Sequence, residues 1–473
     1  MLWIFIAYLL VTLTLGFWQG RRTKSQADFV LGSSRLPGWM LALSERATGE
    51  SAWLLLGFTG FIYAHGLSGV WIGVGCLSGI TTAWLVLARK FRSEAARYRA
   101  MTMPEYFSAK FPEKANTIRV LSTLIIAFFF IFYVGAQFAG AGKTIQETFG
   151  LPAIWGQVLC AAVIMTYASF GGFISVVAVD AFQAVLMILT LIVTPIVMLA
   201  KVLAGPVSIG QALEAAGPGM GSLTGGAAGF AAGILIFNNF AWFFGYLGGQ
   251  PQLNARFMGM RDDRQVRIGR NIAVAWTVAA YTGAVMIGLC ALALFGPKAI
   301  GDAELVLPFA LTALFPGWLA GVLLAGAVAA MVSTAESMLI VAGTAVSQDA
   351  YKGIIRRGRV SDRALLNVSR GTTLAIGVLS LVLALTTEKL IYSIVSYAWA
   401  GIGCSFAPAV LLSFYWDRFR SAGVVTALLV GLLTTIVWIA TGLDSRVTAM
   451  AVTFAAAMGS AVLVTLAAPP RRA

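Results

Sequence analysis

Apolar stretches of about 20 residues recur along the whole of this 473-residue chain, each long enough to cross a hydrocarbon core of roughly 30 Å as a helix. Few architectures are compatible with that pattern. In lipid every backbone N–H and C=O has to be satisfied within its own segment, so the expected fold class is an all-α integral membrane bundle. Hydrophobic residues make up 59 % of the chain and charged ones only 11 %, with a mean hydropathy of +0.86, which excludes the balance of a soluble globular domain.

Thirteen spans are predicted, near 1–18, 37–62, 67–88, 119–147, 152–170, 174–200, 226–249, 271–296, 316–345, 370–386, 388–415, 421–441 and 446–467. The longest polar connection, about 89–118, is too short to bury a core of its own, so 1–473 reads as a single transmembrane domain. Lys and Arg crowd into alternate connections: GRRTKSQ, RKFRSEAARYR and its continuation to Arg119, NARFMGMRDDRQVRIGR, YKGIIRRGRVSDR, WDRFR and the terminal PPRRA. The positive-inside bias assigns those loops to the cytoplasm, with the N-terminus outside and the C-terminus inside the cell (inner) membrane.

The same asymmetry accounts for the net charge of +14. Nucleic-acid binding would need that charge clustered on one soluble face, whereas here it is divided among short loops facing anionic headgroups. The first apolar run carries its positive charge after it rather than before it, and so reads as a retained span rather than a signal peptide. Cys76, Cys160, Cys290 and Cys404 lie within spans without metal-ligand spacing and read as packing residues.

Two spans are interrupted. The second contains ATGES at 47–51, and the seventh contains FNNFAWFFGYLGGQP at 237–251, where asparagines, glycines and a closing proline make an unbroken helix improbable. Unwound backbone at such breaks can lend carbonyls to a cation and helix N-termini to an anion. The spacing of the breaks fits two inverted repeats of five helices, 37–200 (spans 2–6) and 226–415 (spans 7–11), with 1–18 and 421–467 as peripheral helices.

Other polar groups sit at membrane depth. Ser333, Thr334, Glu336 and Ser337 fall within about one turn of span 9, Asp180 lies near the cytoplasmic start of span 6, and Tyr133 and Gln137 share a face of span 4. An ionisable residue inside a membrane is read as functional by default, because leaving it unpaired is costly.

The strings ADFVLGSSRLPGW, WLLLGFTG, TMPEYFSAKF, QETFG, GGF, GQPQLNARFM, WLAGVLLAGAVAAMVST, QDAYKG and VSYAWAGIGCSFAPAVLLSFYW together resemble the sodium:solute symporter family over nearly the full length, and within it the proline-transporting branch. The resemblance implies a leucine-transporter-type fold with Na⁺ as coupling ion and no other cofactor. By position it implies a sodium site from the carbonyls of Ala47, Glu50 and Ala330 and the hydroxyls of Ser333 and Thr334, with Asp180 on the sodium release route. For the substrate it points to Ser51, Trp53, Tyr133, Trp242 and Tyr246, which suit a small zwitterion with an apolar ring.

At Gly49 the chain departs from the branch, which carries an aspartate there. Glu45, Arg46, Glu50 and Glu336 stand instead where the family has small or uncharged residues, and GYLGGQP looks one residue longer than the branch pattern, which could displace Trp242 and Tyr246 by one. Three readings of these charges follow. Arg46, Glu50 and Glu336 could form a structural network between spans 2 and 9; Glu50 or Glu336 could supply the carboxylate lost at Gly49; or the Arg46 guanidinium could fill the cation site, giving a sodium-independent or proton-coupled carrier.

The expected function is sodium-coupled import of a small zwitterionic solute, L-proline first, by a monomer in the bilayer. A solute sensor built on the same fold is the alternative of another class; it would need a cytoplasmic output domain or a partner-binding tail, and neither is expected from the sequence. An enzyme is not expected: the one histidine, His65, reads as interfacial, and no nucleophile lies beside a base.

Overall fold

In a computed structural model of the chain, all residues are described except 22, 24, 33–35, 387–389 and 469–473, together with the side chains of Ala27 and Phe170. Part of the GRRTKSQ loop, the centre of ADFVLGSSRLPGW, the first residues of the eleventh predicted span and the terminal PPRRA therefore lie outside the described residues. No strand occurs among those described.

After α1 (Leu2–Gly20) the chain enters α2 (Gly38–Ala52), which passes through a π-helical turn, Trp53–Phe58, into α3 (Thr59–His65). A second π turn, Ala83–Leu87, joins α4 (Val70–Thr82) to α5 (Ala88–Tyr98). The short α6 (Met103–Lys110) is fixed by its own N-terminus: Thr102 Oγ1 accepts from Glu105 N at 3.0 Å, and Glu105 Oε2 accepts from Met101 N at 2.8 Å. That reciprocal pair satisfies donors which the first helical turn leaves open. Next come α7 (Ala115–Phe149) and α8 (Ala153–Ala204), the latter bent at Gly172.

Gly172 has φ 64° and a Cβ there would lie 2.9 Å from the Cα of Phe29. Both conditions demand glycine. The bend therefore separates the two runs predicted as spans 5 and 6 without a loop between them.

The second half holds α9 (Gly229–Phe240), a single turn at Trp242–Gly245, α10 (Pro251–Met258), α11 (Asp263–Phe295), α12 (Gly317–Thr344) extended by a π-helical run Ala345–Ile355, α13 (Asp362–Thr386), α14 (Ile391–Tyr415), α15 (Ser421–Ala440) and α16 (Ala449–Ala467). Proline opens α10 at its first position, where the missing N–H is no loss. Ten helical stretches among the described residues are long and apolar enough to cross a membrane; one, Gly38–Tyr98, holds both segments predicted as spans 2 and 3. The segments predicted as spans 5 and 7 contain the shorter apolar helices Ala153–Ser169 and Gly229–Gly245.

Nearly every residue of α12 between 320 and 344 is buried, so this helix is the axis of the bundle. Small residues let helices approach closely here: a methyl at Gly326 of α12 would run into Leu186 O of α8, and one at Gly283 of α11 would run into Leu191 O of α8. Close backbone contact of this kind replaces the hydrophobic drive that lipid cannot provide. All four cysteines are buried and unbridged.

Candidate functional site

The site grows from the two breaks. In α2, Ser51 adopts φ 24° and ψ −169°, far from helical values, and this stops the α2 hydrogen-bond ladder in the middle of the bundle. Gln137 Oε1 accepts from Ala52 N at 2.9 Å and Ser51 Oγ accepts from Trp53 N at 3.2 Å, so the freed donors are met by side chains. The second break follows α9: Gly248 has φ 77°, and a Cβ at Gly249 would collide with Gly403 O of α14.

The five residues assigned to substrate meet at these breaks. Trp53 stacks on Trp242 with ring centroids 4.2 Å apart and planes 12° from parallel. Tyr133 donates to Ser51 Oγ at 3.2 Å and accepts from Trp399 Nε1 at 2.9 Å. Tyr246 packs against the Trp399 ring at 4.2 Å and reaches Gly49 O at 3.5 Å. Trp399 is the member of this aromatic box that the sequence did not single out, although it sits in the quoted VSYAWAG string. Tyr392 extends the box by accepting from Trp242 Nε1 at 3.2 Å.

Beside the first break, α2 and α12 are joined by hydroxyl–carbonyl bonds. Ser333 Oγ donates to Ala47 O at 3.0 Å and to Ala330 O at 3.1 Å, while Thr334 Oγ1 donates to Thr48 O at 2.9 Å. Four of the five predicted sodium ligands are therefore brought together. Glu50 O, the fifth, lies one turn on and accepts from Trp53 N. The donor set is oxygen throughout, the type a hard cation prefers.

On one side of this cluster lies a buried ion pair. Arg256 Nη2 is 3.0 Å from Asp180 Oδ2, and the guanidinium also donates to Ser44 Oγ, Thr48 Oγ1, Ser337 Oγ and Gln252 O. Asp180 Oδ2 accepts in addition from Ser44 Oγ at 2.5 Å. Arg256 falls in the NARFMGMRDDRQVRIGR stretch, counted in the sequence with the basic loop residues; it is in fact 1 % exposed. Four elements converge there, α2, α8, α10 and α12. Nothing in the local sequence sets it apart from the other arginines of that stretch.

The charges around Gly49 resolve into a separate network. Arg46 sits between Glu45 and Glu50, donating through Nε to Glu45 Oε2 at 2.5 Å, through Nη1 to Glu50 Oε1 at 2.7 Å, and through Nη2 to Glu45 Oε1. Tyr281 of α11 donates to Glu50 Oε2 at 2.7 Å and Trp84 donates to Glu45 Oε2 at 3.1 Å. Each charge is thus paired and hydrogen-bonded, the condition under which burial is tolerable. A Cβ at Gly49 would lie 3.5 Å from Arg46 Nη2, so the guanidinium borders the space an aspartate at 49 would enter.

Glu336 does not join that network. Its two oxygens have no hydrogen-bond partner among the described residues, and it lies near Tyr8 of α1 instead. Helical geometry explains the separation: Ser333, Thr334 and Ser337 turn toward α2, whereas position 336 is rotated off that face.

Residues 29–431 match the sodium:solute symporter family. The chain belongs to that family. A member from Bacillus subtilis (strain 168), the osmoregulated proline transporter OpuE, is 34 % identical over 92 % of this chain and 88 % of its own length. The sodium/proline symporter of Escherichia coli (strain K12) is 33 % identical over 93 % of this chain and 87 % of its own. Among solved structures, the substrate-bound, outward-open state of a Na⁺-coupled sialic acid symporter superimposes with a TM-score of 0.82, covering 99 % of this chain and 98 % of that one at 16 % identity. The sodium:solute symporter chain described here therefore has a leucine-transporter-type, all-helical fold and is a multi-pass membrane protein.

Proposed function

We propose that this protein is a secondary active transporter that imports a small zwitterionic solute, L-proline, together with sodium across the inner cell membrane as a monomer, with thirteen crossings, the N-terminus outside and the C-terminus inside. The observation that carries the reading is the convergence of Ser333, Thr334 and the carbonyls of Ala47, Thr48 and Ala330 at the break of α2. The proline-transporting relatives supply the substrate. The two breaks mark equivalent positions in two five-helix repeats, 37–200 and 226–415.

In this reading Na⁺ is held by the hydroxyls of Ser333 and Thr334 and by the carbonyls of Ala47, Ala330 and Glu50, breaking the bonds those hydroxyls now make. Its arrival ties α2 to α12 and orders the break at Ser51. The solute then settles beside it, its ring against Trp53, Trp242 and Tyr246 and its polar ends toward Ser51, Tyr133 and the ends of the broken helices. For sodium and solute to drive each other, each has to favour the other's binding by about 1–3 kcal/mol. The Asp180–Arg256 pair closes the inward route, and Asp180 receives the ion once the guanidinium moves aside.

The bonds of Arg46 favour sodium coupling over a carrier whose cation is built in. Its guanidinium is held by Glu45 and Glu50, with a further 3.5 Å approach to Thr277, and none of these bonds goes to Ala47, Ala330, Ser333 or Thr334. Glu50, bonded on both oxygens, stands next to Gly49 and carries the negative charge that position lacks.

The test is uptake of radiolabelled proline into proteoliposomes under an inward sodium gradient, the same gradient of potassium, and an imposed pH gradient. Accumulation with sodium alone is expected. Equal uptake without sodium would overturn the coupling, and no proline uptake under any gradient would overturn the substrate.

A further inference from the structure

The bundle carries a second polar feature, remote from the aromatic box. Where α4 runs through its π turn into α5 and meets the start of α11, a cleft of about 320 Å³ opens between the two. Its rim is Arg89, Arg267 and Arg270, and its floor is Trp84, Leu85 and Val266. Asp263, also in its wall, is engaged by Arg89 Nε at 2.6 Å and by Arg92 Nη2 at 2.5 Å. One carboxylate therefore answers two arginines.

The other two rim arginines have no acidic partner among the described residues. Arg270 donates through Nε and Nη2 to the neutral amide oxygen of Asn271, at 3.1 and 3.0 Å, and Arg267 is exposed with no hydrogen bond or ion pair among the described residues. From the cleft toward the middle of the bundle the surface turns apolar and open: Leu85 is 57 % exposed, Val86 43 % and Val278 46 %. Guanidiniums above and aliphatic surface below are the two halves of a phospholipid's own chemistry.

We propose that this cleft binds the headgroup of an anionic phospholipid, its phosphodiester held by Arg267 and Arg270 and one acyl chain lying along Leu85 and Val278. Guanidinium is the side chain suited to paired contacts with phosphate oxygens, and basic pockets between helices at a membrane surface are a recurring answer to anionic headgroups. A soluble phosphate would gain nothing from the apolar strip.

The floor of the cleft also reaches the transport site. The Trp84 ring, which lines the cleft and is 2 % exposed, donates through Nε1 to Glu45, the carboxylate that holds Arg46. A Cβ at Gly269 would lie 2.9 Å from that ring, so α11 packs directly on the indole. A lipid seated on Trp84 would stiffen the Glu45–Arg46–Glu50 network, with Trp84 as a positioning residue. The inference draws on the proposed function only for the leaflet, the cytoplasmic one. The binding test below involves neither sodium nor proline, so its failure is distinct from theirs.

The experiment is native mass spectrometry of the purified full chain exposed to dioleoylphosphatidylglycerol or to dioleoylphosphatidylcholine. The Arg267→Gln/Arg270→Gln pair should weaken phosphatidylglycerol retention by about twenty-five-fold, from about fivefold for each surface arginine. Arg267→Lys/Arg270→Lys, which keeps charge and fold, should lose part of it, and Arg356→Gln/Arg359→Gln on another basic loop should lose none. Equal retention of phosphatidylglycerol by wild type and the glutamine pair would overturn the proposal. So would equal retention of the zwitterionic lipid, or displacement of phosphatidylglycerol by millimolar inorganic phosphate, which would mark a free-anion site.

Discussion

Arg256 Nη2 and Asp180 Oδ2 lie 3.0 Å apart in the interior of the bundle, on residues 1 % and 0 % exposed. The pair ties the short helix after the second break to α8, and through Ser44, Thr48 and Ser337 to α2 and α12, the helices of the proposed sodium ligands. A lone charge left there would be far worse than none. Arg256→Ala should therefore destabilise the protein by about 3–5 kcal/mol, while Asp180→Asn combined with Arg256→Gln should cost well under the sum of the single changes. Thermal unfolding of the purified variants in detergent closes the cycle, and strict additivity would show that the two side chains are uncoupled.

Ser333→Ala and Thr334→Ala each remove one hydroxyl oxygen from the place where α2 and α12 meet. The sodium concentration for half-maximal proline uptake should rise about tenfold for each, equivalent to about 1.4 kcal/mol. Proline KM at saturating sodium should change little, and Thr334→Ser should behave as wild type. Uptake kinetics over a sodium series decide it; an unchanged sodium requirement in both alanine variants would place the ion elsewhere.

Removing the Glu50 carboxylate leaves Arg46 with Glu45 alone. Glu50→Gln should lower apparent sodium affinity by about tenfold, a loss of about 1.4 kcal/mol. Because a side chain at 49 would start 3.5 Å from Arg46 Nη2, Gly49→Asp placed on the Glu50→Gln background should return most of the affinity. The paired measurement is the sodium dependence of uptake in the single and double variants, and a double variant no better than Glu50→Gln argues against a relocated charge.

Tyr133→Phe deletes the donor to Ser51 and leaves Trp399 Nε1–H without its acceptor in a buried setting. An orphaned buried donor costs about 1–3 kcal/mol, and the cost falls on the aromatic box rather than on sodium. Proline KM should rise about tenfold or more, by the same conversion, with the sodium requirement unaltered. A variant that changes only the sodium requirement would move Tyr133 out of the substrate site.

At Gly249 the approach of Gly403 O leaves no room for a methyl group. Gly249→Ala should cost about 1–3 kcal/mol, as overpacking does, and lower the unfolding temperature, whereas Gly210→Ala at an exposed position of the short helix Ile209–Ala216, with only Ser208 Oγ within 4 Å, should leave it unchanged. Comparing the two melting curves separates a close approach from a general preference for glycine.

The helices, and the break after α9, were legible because both signals are local: hydropathy over about 20 residues marks a span, and clustered glycine, asparagine and proline mark a break, whereas at α2 ATGES offered one glycine among polar residues. The meeting of Tyr133 and Gln137 with the α2 break also followed a local rule, since residues four apart share a helix face. Arg256 was not legible in this way. Its neighbours Arg261, Arg264, Arg267 and Arg270 stay near the surface, and nothing within a window of sequence distinguishes the one arginine that turns inward to meet Asp180, 76 residues away. Trp84, Tyr281 and Trp399 were missed for a related reason: aromatics are ordinary in spans, and their roles depend on partners from other helices. Glu336 was grouped with Arg46 and Glu50 by charge alone, and the rotation of one helix about its axis keeps them apart.

Ser51 holds its unusual backbone angles without being glycine, a conformation that costs an L-residue about 1–3 kcal/mol and persists only where the surroundings impose it. Gln137, Tyr133 and the π turn after it supply that constraint. Cut out of the protein, the same stretch of peptide would lose every contact that holds it in that shape. The break is thus a property of the assembly rather than of the segment, a sprung joint cocked by its neighbours and able to straighten as soon as they let go.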